Sequence, residues 1–94
     1  MKFSEAMLKG YTKNGGKQLV RGGFFDYETG ACCVMGAAIL GETDTAHVTN
    51  YSTQGYGDPR VQAFTEEWGV HMADLNDEGL NWEHIYGMAV AAGL

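Results

Sequence analysis

This chain of 94 residues has one proline, two cysteines and, beyond position 21, a single basic residue. The lone proline leaves no material for a Pro-rich spacer. The cysteines are neighbours, Cys32 and Cys33. Bridging adjacent residues strains the peptide between them, so the two are poor disulfide partners and two thiols in a reducing cytosol are expected. No long apolar run is present either. The longest, Ala31 to Leu40, is about half of the ~20 residues a membrane span needs. Phe3 to Gly10 is interrupted by Glu5 and Lys9, so no leader-like apolar stretch follows Lys2. A cytoplasmic protein with no membrane partner is the expectation. There is no C-x-x-C, and the three histidines (His47, His71, His84) do not form a metal-binding spacing. No metal site and no cofactor are expected.

What is present is glycine, apolar residues and acid. Fourteen glycines imply many turns and close backbone approaches. An apolar fraction of 45% with 19% charged residues reads as globular. The length supports one domain, residues 1–94, with one small core. Charge is divided by position. Five bases (Lys2, Lys9, Lys13, Lys17, Arg21) precede residue 22 against Glu5 alone, a net +4. Eleven acids follow against Arg60, a net −10, which together give −6 for the chain. Such a field attracts basic surfaces and repels nucleic acid over most of the molecule.

Four helices are predicted. Ser4 caps the first, with Glu5 at the positive end of the dipole and Phe3 stapled to Leu8. Phe3, Met7 and Tyr11 form its buried stripe, and Asn14-Gly15-Gly16 ends it. Gln18 to Tyr27 reads as extended, with Gly22-Gly23 as a bend. The all-apolar run predicts a buried helix from about Cys32 to Leu40, stopped by Gly41. A short β-hairpin is expected around Phe24 to Cys33. Glu42 to Asp58 is polar and long for a plain loop, which favours a binding segment carrying Tyr51 and Tyr56. Asp58-Pro59 starts a helix with Val61, Phe64 and Trp68 on one face, and Gly69 ends it. Val70 to Leu75 is a helical turn or a strand. Asn81 caps a last helix, Trp82 to Ala92, with Ile85, Met88, Ala89 and Ala92 inward. The fold class is therefore mainly α: a bundle of about four helices with one short β-hairpin.

Three groups of residues carry the functional alternatives. Cys32 and Cys33 fall near a helix N-terminus, which lowers a thiol pKa, and His71 or His84 could act as base. Against that stands the apolar neighbourhood of both cysteines. Asp74 to Gly79 begins like a calcium loop, but position 12 of that frame is Ile85, so a polar turn is the better reading. Glu66, Glu67, Asp74, Asp77, Glu78 and Glu83 lie within 18 residues. On a shared surface they would imitate a phosphate track and occupy a basic groove; an ordinary acidic surface is the plainer alternative.

The order Cys33-Val34-Met35-Gly36-Ala37, then Asn76-Asp77, then a capped last helix resembles a family of small bacterial and phage proteins that forms a domain of unknown function. Its pattern is Cys-x-x-Gly-Ala, a much later Asn-Asp, and a terminal helix. The matching positions are Cys33, Gly36, Ala37, Asn76 and Asp77. Leu75 departs from the family's aromatic, and Asn81 replaces its threonine cap. The resemblance implies a fold and a bacterial or phage setting, and no activity.

The favoured function is a small acidic, non-enzymatic interaction protein. It would bind a basic protein surface through Tyr51, Tyr56, Glu66, Glu67, Asp74, Asp77, Glu78 and Glu83. Its most concrete form is a phage-encoded inhibitor of a host nucleic-acid-handling or defence complex, of the anti-CRISPR type, with no direct contact to nucleic acid. The alternatives are a thiol-dependent hydrolase or transferase using Cys32 or Cys33, and a structural homo-oligomer built on Trp68 or Trp82.

Overall fold

The computed structural model describes all residues, 1–94. The chain forms five α-helices and one 3-10 turn: α1 Phe3–Asn14, α2 Val34–Thr43, the 3-10 turn Gly55–Gly57, α3 Pro59–Trp68, α4 Met72–Asp77 and α5 Trp82–Ala91. The expected helical class holds. The helix count rises from four to five because Met72–Asp77 closes as a helix of its own.

The core is built around α2, whose residues Val34 to Ile39 are all buried. A helix apolar on every side can only be covered on every side. α1 covers it most closely. A Cβ at Gly10 would overlap the Ala37 carbonyl, and one at Gly41 would overlap the Ala6 carbonyl. Two glycines, one on each helix, thus let the backbones touch. Gly41 therefore lies inside α2 and does not stop it; the helix runs on to Thr43 and ends at Asp44 in a left-handed conformation. The stripe of α1 is as expected, with Phe3, Met7 and Tyr11 buried. Its cap is Lys2 and not Ser4, since Ala6 N–H already bonds the Lys2 carbonyl. Glu5 accepts from the Lys2 N–H at 3.0 Å, and Leu8 is exposed, so the staple to Phe3 is not made.

α3 begins as read from the sequence. The Asp58 side chain accepts from Arg60 N–H at 2.8 Å, Pro59 occupies the first turn, and Val61 and Phe64 are buried. Arg60 ties three segments together. It donates to the Met1 carbonyl at 2.8 Å, to Asp58 Oδ2 at 2.6 Å and to Glu42. In α5, Asn81 accepts from His84 N–H at 3.0 Å, and Ile85 and Ala89 point inward. Met88 and Ala92 are only half-buried.

The β-hairpin at Phe24 to Cys33 is not formed. Cys32 alone makes bridges, parallel to Gln18 and antiparallel to Phe25. A ladder cannot extend from it, because the next residue, Cys33, already caps α2. Arg21, Gly22 and Gly23 all have positive φ (70°, 107° and 99°), which turns the preceding chain out of extended geometry.

Candidate functional site

The N-terminus of α2 is where distant segments meet. The Cys33 Sγ accepts from Gly36 N–H at 3.3 Å, and Asn76 Oδ1 accepts from Val34 N–H at 3.2 Å. These bonds satisfy donors that a helix start leaves open. Helix α2 thus starts at Val34 and not at Cys32. Asn76 also accepts from Gln18 Nε2 at 2.9 Å and donates to the Leu19 carbonyl at 2.8 Å. Cys33 and Asn76 therefore act here as architecture. Gly36 has the same character: a Cβ there would overlap the Phe24 carbonyl.

Neither thiol is set up as a nucleophile. Burial pushes Cys33 up to about 11, with the Gly36 and Met35 amides opposing it only in part. Burial raises Cys32 as well, partly offset by Asn14. A thiol held protonated is a poor attacking group. His71 is occupied elsewhere, its Nδ1 accepting from Ala73 N–H at 3.0 Å as the cap of α4. His84 sits exposed in the first turn of α5.

Beside the α2 start lies a cavity of about 180 Å³. Its floor is apolar and buried, made by Cys33, Val34, Met35 and Ala73. The half-buried Phe24 and the exposed Tyr56 form one wall, with ring centroids 6.0 Å apart. Asp77 and Arg21 stand at the rim. Tyr56 also packs on His71, at 5.2 Å between centroids. Desolvation raises the Tyr56 pKa, and the charges of Cys33, Asp77 and Asp74 add to the effect. The tyrosine of the polar segment and the acids of α4 are thus close enough to feel one another.

The six sequence-selected acids are all exposed. Glu66 and Glu67 end α3, Asp74 and Asp77 lie one turn apart on α4 with Glu78 just beyond, and Glu83 opens α5. None of them takes part in an ion pair. The ion pairs join Lys13 to Asp44 and Arg60 to Glu42 and Asp58. The one base of the acidic segment is thereby consumed internally. Trp68, 41% exposed, stands next to Glu67 with its Nε1 donating to the Met88 carbonyl at 3.1 Å. Tyr51, 77% exposed, lies in a separate turn away from the cavity lining. The calcium-like run does not gather ligands: Asn76 points into the core, and no three His, Cys, Asp or Glu side chains converge.

Sequence reasoning selected Tyr56 and Asp77 but not Phe24, Arg21 or Cys33 as their partners at one cavity. The only local signal was Gly22-Gly23, which marks a backbone bend without saying what it encloses. No helix is long and apolar enough to cross a membrane. Comparison with protein-family models, curated proteins and solved structures finds no match.

Proposed function

We propose that this protein works by stoichiometric binding to a basic surface of a partner protein. The observation that carries this reading is the set of six exposed acids on α3 to α5, all without an ion pair, while Arg60, the one lysine or arginine on those helices, is already bound by Asp58 and Glu42. Unpaired acids held on short rigid helices steer a basic partner and set its orientation. Trp68 and Tyr56 supply exposed aromatic surface of the kind that anchors interfaces. The raised thiol pKa values speak for binding over nucleophilic catalysis. In its most concrete form the partner is a nucleic-acid-handling complex whose phosphate-binding groove the acids would occupy. A phage-encoded inhibitor of a defence complex fits that form.

The test is retention of a basic protein by the tagged chain at low and high salt. The captured partner should be lost as salt rises and lost when Glu66, Glu67, Asp77 and Glu78 are reversed to lysine. Retention indifferent to both changes would sink the proposal.

A further inference from the structure

We infer that the cavity beside the start of α2 is an anchor pocket for a single arginine side chain of the partner. This inference rests on the basic-partner reading above. The cavity, about 180 Å³, is smaller than the ~300 Å³ at which sites for drug-sized ligands begin. It suits one side chain. The floor formed by Cys33, Val34 and Met35 would take an aliphatic stem. The Phe24 and Tyr56 rings of the wall supply aromatic surface for a cation, and at the rim Asp77 offers a carboxylate that makes no hydrogen bond within the chain. Arginine fits this set better than lysine. Its planar head stacks on aromatic faces, meets a carboxylate through two donors, and gives up its hydration more readily.

The pocket walls are held in place. The Phe24 carbonyl accepts from Cys33 N–H at 3.1 Å and lies against Gly36, where no side chain could fit. Gly55 lies against the Phe24 ring, and a Cβ there would approach Cζ to 2.6 Å. A preformed pocket spares the ordering cost that weakens most docking events. Arg21 is the one cation at the rim, and it makes no ion pair with the Asp77 carboxylate. Its Nε donates to the Asp77 main-chain carbonyl at 3.1 Å, which leaves the Asp77 carboxylate open.

The experiment uses the 94-residue chain labelled with ¹⁵N. The probe is N-acetyl-arginine-N-methylamide, run against its neutral citrulline counterpart. The arginine probe should give saturable amide shifts at residues 21–24, Cys33, Tyr56 and Asp77. The citrulline probe should bind about tenfold more weakly, as should the arginine probe to Tyr56→Ala and Asp77→Asn, with amide dispersion showing that both variants stay folded. Arg21→Ala should tighten binding by removing a like charge. A ligand held through a carboxylate would instead lose affinity in that variant, which would overturn the assignment. Equal shifts with both probes, or shifts centred on Glu66, Glu67 and Glu83, would also overturn it. Partner capture separates the two ideas. If capture fails on reversing Glu66 and Glu67 yet survives Tyr56→Ala and Asp77→Asn, the pocket falls and the acidic-face reading stands. If the probe fills the cavity and no basic protein is retained, the pocket stands and the partner reading falls.

Discussion

Asn76 Oδ1 accepts the Val34 N–H at 3.2 Å, joining positions 42 residues apart in the chain. The bond lets the C-terminal third of the protein cap the helix at its centre. The same side chain holds Gln18 and Leu19, so three segments depend on one buried amide. Such networks are worth most when every member is satisfied. Here no buried side-chain nitrogen or oxygen lacks a partner.

Asn76→Ala removes three hydrogen bonds at a site only 1% exposed. The expected loss is about 3 kcal/mol, with the Val34 amide and Gln18 left wanting. Urea unfolding followed by circular dichroism measures it. A loss below about 1 kcal/mol would show that water replaces the amide and that the network is dispensable.

The two helix-contact glycines should behave unlike an exposed one. Gly41→Ala forces a methyl group into the Ala6 carbonyl and should cost at least ~2 kcal/mol. Gly87→Ala, in the exposed interior of α5 with nothing near the new methyl, should stabilise by about 0.5–1 kcal/mol. Paired urea midpoints decide it. Equal effects of the two substitutions would mean that α1 and α2 separate easily.

Alkaline pH should destabilise the fold through its buried acids. Cys33 ionises at about 11 in the folded chain, against 9.0 as its ordinary value. Between these values the unfolded state releases its proton and the folded state keeps it. The stability contributed is thus fully present below pH 9 and is lost as pH rises toward 11, by roughly 2–3 kcal/mol. Burial acts in the same direction on Tyr11, whose hydroxyl donates to the Cys32 carbonyl at 2.8 Å. Unfolding free energies measured between pH 8 and 11 should fall, and Cys33→Ala should flatten the slope. An unchanged slope in that variant would remove Cys33 from the account.

Both cysteines should resist alkylation in the folded state. At neutral pH the raised pKa keeps both thiols protonated, so iodoacetamide should modify them far more slowly than a free thiol, even though Cys33 borders the cavity. Rapid labelling of one cysteine in native buffer would revive the thiol-enzyme alternative.

Arg60→Met should cost about 2–4 kcal/mol, because the nearly buried Asp58 side chain would lose its ion-pair partner. Arg60→Lys should recover only part of this. One ammonium cannot reach the Met1 carbonyl, Asp58 and Glu42 together. Thermal melting of the two variants tests the order.

Local chemistry made much of the fold readable. The Phe3, Met7, Tyr11 stripe, the Asp58-Pro59 start, the Gly69 stop and the Asn81 cap each depend on residues within a turn of one another. Where the reading missed, the deciding partner was remote. Gly41 looks like a helix stop until Ala6 is set against it. Cys33 looks like the second residue of a helix until Asn76, 42 positions beyond Val34, is seen to accept the Val34 amide at the helix start. The hairpin stopped at the single Phe25–Cys32 bridge because the next residue, Cys33, already caps α2.

The same division holds for the candidate site. The order of residues alone determined that the chain beyond position 21 is acidic and that its central segment must be buried, since the placement of charge and an unbroken apolar run do not depend on how the chain folds. Only the tertiary structure decided which acids stay unpaired, that Arg60 is spent internally, and that Tyr56 and Asp77 meet Phe24 and Cys33 around one cavity. Those relations join positions 21 to 77, and contacts at such separation are set by packing, which no local pattern in the chain encodes.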